Sequence, residues 1–488
     1  MSNTKSNKVG NHHFPGHTVL KEPRLSFSCT DMRAASEHPL IGLSQYGPFS
    51  SSQLAAIPNP IKIALVAPFR RTNELKRFID ELNTTHSPRE RKDYLIDYSG
   101  FSNIYKTALA CAEDHACLEL PEDLDQKIYD SKTPHLVLAE TITRTLQSLR
   151  NVQHDFTIVL LLIPNRWKSA FKVKTDFEDF NLHHYLKAIS ASMSMPLQIT
   201  NDDEDSALRY FCRCSVMWRA SIALYAKAGG TPWVWADSPK DTAYIGLRYA
   251  LQSKTNGKSK FAICCSQVFD ASGAGLEFVA YEAEDVRIFG ENPFLNRSQM
   301  LSVISRSLEI YQRKHYGEKP KHVIVHKNTE FKMEEIDGCF DALAAIDQVD
   351  LVHIKQETSW SAVQLKADFR RNIHLDGYPC KRGTLLQLGG HNSLLWIHGT
   401  SSNLSINNRP LLKGGKGIPN PVELVRYSGH GSMDEIAKSI LALSKMDWNN
   451  DGPYTQLPVT LSYAHTMAKI VVRMPKLESR PYPIRFFM

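Results

Sequence analysis

The spacing of two histidines, two lysines and a glutamine would allow their side chains to bind a phosphate group. His183 and His184 lie four and three residues before Lys187 on a predicted helix, and residues with this spacing share one helix face. Gln198 follows in the segment MPLQIT, and Lys227 ends the next predicted helix. A terminal phosphate is a doubly charged acceptor that needs cationic and N–H donors from several elements. The alternatives are a surface His–His pair and a lysine that only complements a helix dipole.

Four carboxylates, Asp237, Asp241, Asp270 and Glu277, lie near one another along the sequence. Carboxylate oxygens are the ligands that Mg²⁺ prefers. Acidic residues are also common in turns and at strand edges, where they bond to the backbone or to water. Both interpretations stay open on the sequence, and the second is the more common situation for each residue.

Basic residues recur in the last third of the chain, and the second group of them lies in a Gly-rich loop with no acid between its members. Such residues can follow the phosphates of a nucleic-acid duplex. The alternative for any one of them is a solvated surface position. The two groups are Lys366, Arg370, Arg371, Lys381 and Arg382, and Arg409, Lys413 and Lys416.

The final residues are both aromatic and basic. From Lys469 to Met488 the sequence has five Lys or Arg and one acid, and it finishes in RPYPIRFFM. Two adjacent phenylalanines, Phe486 and Phe487, are seldom left exposed without a purpose. They either join a binding site or staple the tail into a core.

The elements that must position these residues alternate in the first half. IKIALVAPF (61–69), HLVLAE (135–140) and DFTIVLLLIPN (155–165) are predicted strands, and residues 73–83 form an amphipathic helix. Alternating strands and helices predict a parallel sheet with helices on both faces. Residues 181–192 are the predicted helix that carries the histidines.

A second predicted helix, residues 207–230, ends at a Gly–Gly stop, and a Pro- and Asp-rich stretch places a domain boundary near residue 236. Three consecutive strand candidates follow, AYIGLRYAL, KFAICCSQVF and LEFVAYE, then a helix over residues 298–315 and further strands. This order is typical of a ribonuclease-H-like fold. The predicted organisation is an N-terminal arm (1–55), a first domain (56–235) and a second domain (236–488).

Composition agrees with a globular chain of two domains. The 488 residues carry a formal charge of +7, which permits a polyanionic partner without requiring one. The polar start has no apolar leader, and the longest apolar run, Ile158 to Ile163, is too short to cross a membrane. The cysteines, including the pairs Cys212 with Cys214 and Cys264 with Cys265, have no Cys-x-x-Cys spacing, so reduced thiols in a cytoplasmic protein are expected.

Three segments resemble those of Argonaute proteins. HPLIGLSQYGPF (38–49) resembles the opening that precedes the MID sheet, and ALYAKAGGTPWVW (223–235) is similar to the junction between MID and PIWI domains. LALSKMDWNN…LPVTLSYAHTMAKIV (441–471) resembles the last PIWI helices. The resemblance implies an α/β protein in which a Rossmann-like MID domain precedes a ribonuclease-H-like PIWI domain. Since no segment before residue 38 suggests N or PAZ domains, the chain resembles a short prokaryotic Argonaute.

The resemblance assigns roles to the phosphate-binding candidates. Lys187 and Lys227 would neutralise the 5′ phosphate of a guide strand, Gln198 would donate to it, and His183 would stack on or hydrogen-bond the first nucleotide. Many family members have Tyr where this sequence has His183. The carboxylate of Met488 would help hold Mg²⁺ at the guide phosphate.

The PIWI nuclease centre is expected to be degenerate. Slicers hold two Mg²⁺ ions with a tetrad of Asp, Glu, Asp and then Asp or His. The resemblance puts Arg248 at the first position, in YIGLRYA, and Asn328 at the third, in VIVHKNTEF. His465 in Tyr-Ala-His fits the fourth position, and the second, a Glu, is not placed. Because Arg248 brings a positive charge to a cation site, the chain is predicted not to cut its target.

The expected function is that of a guide-binding subunit in prokaryotic defence against plasmids or phage. By resemblance the partners are a short guide RNA, a single-stranded DNA target and an APAZ-containing effector, often a sirtuin-like or TIR protein that depletes NAD and causes death or arrest of the infected cell. No membrane partner is expected, and no Gly-x-Gly-x-x-Gly loop follows a strand here, so any NAD chemistry is expected in the partner. The rival functions are an active ribonuclease-H-type nuclease and a small-molecule α/β enzyme.

Overall fold

The computed structural model describes most of the chain. The segments covered are residues 16–53, 57–174, 179–203, 207–253, 260–270, 272, 275–283, 286–290, 292–406, 411–412, 417–473 and 481–488. The basic residues Arg409, Lys413 and Lys416 lie outside these segments, as do the side chains of Cys264 and Cys265.

The N-terminal segment is built into both halves of the molecule. Its elements are β1 (His17–Val19), β2 (Leu25–Ser26), β3 (Ala35–Ser36) and α1 (Pro39–Tyr46). α1 begins with proline in its first turn, where the missing N–H costs nothing, and buries Leu40 and Leu43 in the main core. Where the structure describes it, the predicted arm therefore consists of short strands and a helix.

The first half forms a parallel sheet flanked by helices. Its elements are β4 (Ile61–Ala67), α2 (Thr72–Leu82), α3 (Phe101–Tyr105), β5 (Leu109–Cys111), β6 (Cys117–Glu119), α4 (Leu124–Asp130), α5 (Pro134–Leu149), β7 (Ile158–Ile163), β8 (Lys172–Lys174), β9 (Asp179–Asn181), α6 (Leu182–Ser192), β10 (Leu197–Asn201) and α7 (Arg213–Lys227).

The central strands of that sheet are buried on both faces. The strand order is β10-β7-β4-β5, β6 also pairs with β4, and every pairing is parallel. All six residues of β7 are buried, which explains its continuous apolar sequence. This is the Rossmann-like domain that the sequence predicts.

One predicted strand of this half is wrong. HLVLAE lies in α5, which begins at Pro134 and buries Leu138, Ile142 and Leu146. A short apolar run fits a strand and a buried helix equally well, and here the spacing of three and four residues continues far enough to favour the helix. Pro134 at the first helical position is the signal that would have distinguished the two.

The second half contains a large mixed sheet. Its elements are β11 (Val234–Trp235), β12 (Thr242–Ser253), β13 (Lys260–Phe269), β14 (Gly275–Ala283), β15 (Arg287–Phe289), β16 (Asn292–Phe294), α8 (Arg297–Lys314), β17 (His322–Lys327), α9 (Met333–Ala342), β18 (Gln348–Lys355), β19 (Val363–Ala367), β20 (Ile373–Pro379), β21 (Thr384–Gln387), β22 (Asn392–Leu395), β23 (Thr400–Ser401), β24 (Leu411–Leu412), β25 (Val422–Ser428), α10 (Met433–Leu443) and α11 (Val459–Val471).

The strand order of this sheet confirms the ribonuclease-H-like prediction. The order is β14-β13-β12-β17-β18-β25-β22-β21-β1. β12, β13 and β14 form an antiparallel meander, whereas β17 and β18 run parallel to β12. The edge strand β1 comes from the N-terminal segment and pairs with β21.

Helices cover both faces of the strands at the centre of this sheet. Leu247 and Val325 pack in one core with Met300 and Val303 of α8. On the opposite face, α11 approaches β12 so closely that a Cβ at Gly246 would lie 2.0 Å from the main-chain oxygen of Thr460. None of the helices in the parts of the chain listed above is long and apolar enough to cross a bilayer.

Candidate nucleic-acid interface

Helix α6 carries the first two predicted phosphate ligands. It begins after Asn181, whose side-chain oxygen accepts a hydrogen bond from the main-chain N–H of His184 at 3.1 Å. Leu182 and Leu186 of α6 pack into the first-domain core. His183 and Lys187, four residues apart, both face a cavity on the other side of the helix.

That cavity has a volume of about 570 Å³ and lies where the two halves of the chain meet. Its walls come from α6, β10, one face of α7, the middle of α11, the last two residues of the sequence and the loops between these elements. The residues that line it are Arg91, His183, Lys187, Gln198, Ile199, Thr200, Asn201, Asp203, Ala207, Tyr210, Ser215, Val216, Arg219, Ala220, Ala223, Asn449, Thr466, Phe487 and Met488. The structure therefore brings together four of the five residues predicted to bind the guide end.

Lys187 is almost completely buried in the cavity wall, with 2% of its surface exposed. Its Nζ donates hydrogen bonds to the main-chain oxygens of Leu197 and Met488. Burial, and then the nearby charge of Lys227, hold the pKa of Lys187 well below its ordinary value. The amine is thus held in a place that favours an anion as its neighbour.

Lys227 lies behind the cavity wall rather than on it. It is the last residue of α7 and is 1% exposed. Burial, and then the charge of Arg219, lower its pKa to about 7. Its charge also acts on Lys187 and His183, so the two predicted lysines do converge on one region.

His183 and Gln198 present polar groups to the same space. The ring of His183 opens on the cavity, and the surrounding protein, followed by Lys187, His184 and Lys227, lowers its pKa. It is therefore an uncharged imidazole at neutral pH, able to stack or to form a hydrogen bond. Gln198 Nε2 donates to the main-chain oxygen of Ile199 at 3.1 Å, and its second N–H and its amide oxygen remain for other partners.

The sequence analysis missed Arg219, an exposed cation in the cavity. Among the residues that the structure describes, no carboxylate or hydrogen-bond acceptor pairs with it. Arg219 and Lys227 are eight residues apart with Ala223 midway, which puts all three on one face of α7. That spacing was the available signal.

Asp203 is the one acidic side chain among the described lining residues, and it follows β10. A second acid, Asp451, lies just behind the wall and is already paired, since Arg91 donates to it at 3.1 Å and Ser215 at 2.6 Å. These hydrogen bonds connect the first half to the segment before α11. Hydrogen-bond donors therefore line most sides of the cavity.

The aromatic tail both packs into the core and contributes to the cavity, the two roles that the sequence left open. Tyr482 forms an isolated bridge with Phe278 of β14, and their rings stack at 5.4 Å. The ring of Phe487 meets Phe278 edge-on at 4.5 Å. These contacts staple the tail to the large sheet, and the staple places Met488 against Lys187.

The three predicted tetrad positions also meet at one place. β12 and β17 are parallel neighbours, and Leu247 of β12 pairs with Lys327, the last residue of β17. Arg248 and Asn328 are the next residues of the two segments, so they lie side by side where β17 ends. His465 lies on α11, which covers this face. Burial, and then the charges of Arg248 and Lys469, lower the pKa of His465 to about 4. Its charge interaction with Arg248 shows that the two side chains are close.

The remaining acidic candidates are engaged in local pairs. Asp237 accepts from Arg24 at 2.6 Å, and Asp241 pairs with Lys321 at 3.2 Å. The other two do the same: Asp270 accepts from Ser272 at 2.6 Å, and Glu277 accepts from Arg313 at 3.1 Å. Within the described segments, no group of three His, Cys, Asp or Glu side chains is arranged to hold a metal ion.

One residue that was predicted to line a basic channel does not lie on the surface. Arg382 is fully buried, bonds Glu22 at 2.9 Å and lies 4.0 Å from the ring centre of Tyr454. It is a structural residue and does not face a duplex. The other four described members of the two groups, Lys366, Arg370, Arg371 and Lys381, are exposed.

Comparison with known proteins identifies the fold. No family model and no curated protein sequence matches the chain. Among solved structures, it resembles Clostridium butyricum Argonaute bound to a guide DNA with a 5′ deoxycytidine and a 19-mer target DNA, at 17% identity and a TM-score of 0.61, covering 97% of this chain and 55% of that one. It also resembles Aa-Ago with externally bound siRNA (14% identity, TM-score 0.60, 96% and 56% coverage) and Aquifex aeolicus Argonaute (12%, 0.56, 97% and 57%).

The likeness covers nearly all of this chain, which spans about half the length of the Argonautes that it matches. At such low identity the agreement is one of fold. The fold is that of the Argonaute MID domain followed by a ribonuclease-H-like PIWI domain, as the resemblance of the sequence implies.

Proposed function

We propose that this chain binds the 5′-phosphorylated end of a short guide strand, pairs that guide with a target and does not cut the target. The observation that carries the proposal is the junction cavity, in which Lys187, Gln198 and Arg219 face the last residue of the sequence and Lys227 lies behind them. The solved structure of C. butyricum Argonaute holds a guide and a target strand in the same fold.

The electrostatics of the cavity suit a phosphate dianion. Burying two amino groups close together is costly, and the lowered pKa values of Lys187 and Lys227 express that cost. A phosphate would supply the missing negative charge and restore both pKa values. A neutral small molecule would leave this cost in place, which argues against the α/β-enzyme alternative.

Each cavity residue has a separate task in this proposal. Lys187 and Lys227 neutralise the phosphate, and Gln198 donates to one of its oxygens. Arg219 adds a planar pair of N–H donors that match a phosphate edge. His183, uncharged and open to the cavity, stacks on or hydrogen-bonds the first nucleotide.

A divalent cation fits this cavity only together with the phosphate. Mg²⁺ takes oxygen ligands, and the cavity offers the main-chain oxygen of Met488 and the side-chain oxygens of Gln198, Asn449 and Thr466. With two lysines nearby, the metal needs phosphate oxygens to balance the charge. When bound, Mg²⁺ would neutralise the phosphate further and link it to the end of the chain.

The absence of slicing is part of the same proposal. Arg248 and Asn328 take the places where a slicer has carboxylates, and a guanidinium there would repel a metal ion. We propose further, from the resemblance of the sequence, that the guide is RNA and the target single-stranded DNA. Once its guide has paired with a target, the protein activates a separate APAZ-containing effector, sirtuin-like or TIR. This effector depletes NAD in defence against plasmids or phage.

The test of guide binding compares RNA oligonucleotides that differ only at the 5′ end. Fluorescence anisotropy should show that wild-type protein binds a 5′-phosphate RNA at least about tenfold more tightly than a 5′-hydroxyl RNA, as expected for charge-assisted bonds. The Lys187→Met/Lys227→Met variant should lose this difference. Lys168→Met, an exposed lysine on the same domain, should keep it. Equal binding of both RNAs by wild-type protein would remove the proposal.

A cleavage assay separates this function from that of a slicer. The guide-loaded protein should leave a matched, labelled target intact in Mg²⁺ and in Mn²⁺. Cleavage that disappears in a His465→Ala variant would instead establish the ribonuclease-H-type alternative.

A further inference from the structure

Three residues occupy neighbouring positions at the place where a nuclease of this fold would hold metal ions. Arg248 and Asn328 follow paired positions of β12 and β17, and His465 faces them from α11. The site is held rigidly, because Gly246 lets α11 touch β12 and His326 Nδ1 lies 2.9 Å from Thr460 Oγ1. Close packing of α11 on β12 and β17 therefore fixes the relative positions of these residues.

Arg248 and Asn328 differ from the carboxylates of a metal centre because neither carries a negative charge and both carry N–H donors. A metal centre needs acceptors, whereas the guanidinium of Arg248 has only N–H donors and the amide of Asn328 has two. His465, which is neutral near pH 7, has one N–H to offer. Within the described part of the chain, Arg248 has no carboxylate or hydrogen-bond partner, although it is half-buried.

Further positive charges lead from this site toward the guide-end cavity. His465 and Lys469 are four residues apart on one face of α11, and Arg473 follows just beyond the end of the helix. Lys469 and Arg473 act electrostatically on His184 of α6, the neighbour of His183. The surface between the two sites thus attracts a polyanion.

We propose that Arg248 and Asn328 bind a phosphodiester of the target strand directly, without a metal ion. The inference rests on the guide-binding function proposed above. In two-metal nucleases the ions clamp the phosphate that is to be cut. At the same position here, the planar fork of Arg248 replaces the ions and Asn328 donates to a second oxygen. The site then holds the target strand at the phosphodiester that a slicer would cleave.

The test measures how long a target stays bound to guide-loaded protein. Loading of a 5′-phosphate guide is measured first, and Arg248→Gln and Asn328→Asp should both load it as the wild type does. The target should then dissociate about tenfold faster from each variant, in the presence or absence of EDTA, because a charged hydrogen bond is lost or a repulsion is added. Arg144→Gln, which alters an exposed arginine on α5, should behave as the wild type.

A second measurement locates the contact. Target strands are prepared with one neutral methylphosphonate at each successive position. A single position should speed dissociation from the wild type about tenfold and have little further effect on Arg248→Gln. If no position couples to Arg248, or if EDTA releases the target, this inference is wrong while guide binding stands. If the wild type does not distinguish the 5′-phosphate guide at all, the proposed function fails first.

Discussion

The side-chain nitrogen of Lys187 donates a hydrogen bond to the main-chain oxygen of Met488, 301 positions later in the sequence. This contact closes the cavity between the MID-like and PIWI-like halves. It exists because Phe487 and Tyr482 fix the tail to β14, so packing of the second half positions a polar group against a helix of the first. The proposed guide binding and the docking of the two halves are therefore linked through one lysine.

The buried lysines should make the empty protein more stable as pH rises. The pKa of Lys227 is lowered from 10.5 to about 7 in the folded chain, so between these values the unfolded state binds the extra proton. The free energy of unfolding should rise by up to about 2 kcal/mol between pH 7 and pH 9. In Lys227→Met this part of the rise should vanish, and the variant should be the more stable protein at pH 7.

Urea denaturation of the ligand-free protein at pH 7, 8 and 9 measures this effect. Lys168→Met serves as the control, since that lysine is exposed and should leave the slope unchanged. An identical pH slope in wild-type and Lys227→Met proteins would show that Lys227 keeps an ordinary pKa in the folded chain.

Binding of a 5′ phosphate should draw protons from solution. At pH 8 Lys227 is largely unprotonated in the empty cavity, the pKa of Lys187 is lowered as well, and a dianion beside the two amines raises both pKa values. Calorimetric titrations in buffers of different ionisation enthalpy should show uptake of about one proton for a 5′-phosphate guide. A 5′-hydroxyl guide, or the Lys187→Met/Lys227→Met variant, should take up none. Equal heats in all buffers would contradict the role of these lysines.

The sequence predicted the parts of the site that lie on single elements. The four-residue spacing of His183 and Lys187 on α6 is enough to place both on one face. Arg219 could have been found in the same way from its spacing to Lys227. The contact of Lys187 with Met488 could not, because Met488 lies 301 positions later along the chain and is placed by the packing of the tail on β14.

The sequence was misleading where a residue's partner comes from another segment. Arg382 follows other basic residues and suggests a nucleic-acid channel, yet Glu22, 360 positions away, draws it into the core. The HLVLAE segment fails for a local reason, since six apolar-rich residues do not distinguish a strand from a helix. The sheets were predicted well because their strands are long and strongly patterned.

Removing Glu22 should destabilise the whole second half. Glu22 lies between Arg382 and Lys445 at 2.9 Å from each, and all three side chains are buried. Burial would raise the pKa of Glu22, but the two cations outweigh it and lower the pKa below 4.5. Glu22→Gln leaves Arg382 and Lys445 without their counter-ion and should cost about 3–5 kcal/mol of unfolding free energy.

Urea denaturation at pH 7 measures this cost, and Asp237→Asn is the matched control. Asp237 also pairs with an arginine of the N-terminal segment, Arg24, but both are exposed, so its loss should cost less than about 1 kcal/mol. Since the pKa of Glu22 is lowered in the folded chain, its stabilising effect should persist above pH 4.5 and fade only as pH falls below that value. Similar losses in the two variants would mean that the buried pair is no stronger than a surface one.

The close contact of α11 with β12 should be sensitive to a single methyl group. A Cβ on Gly246 would lie 2.0 Å from the main-chain oxygen of Thr460, so Gly246→Ala must push α11 outward and carry His465 away from Arg248. The substitution should destabilise the protein by about 1–3 kcal/mol, as overpacking does. It should also hasten target release while 5′-phosphate discrimination is kept. Gly389→Ala is the control, because nothing lies within 4 Å of its added Cβ. Thermal unfolding and target dissociation rates measure both effects, and wild-type behaviour of Gly246→Ala would show that α11 is not held on the strand at this point.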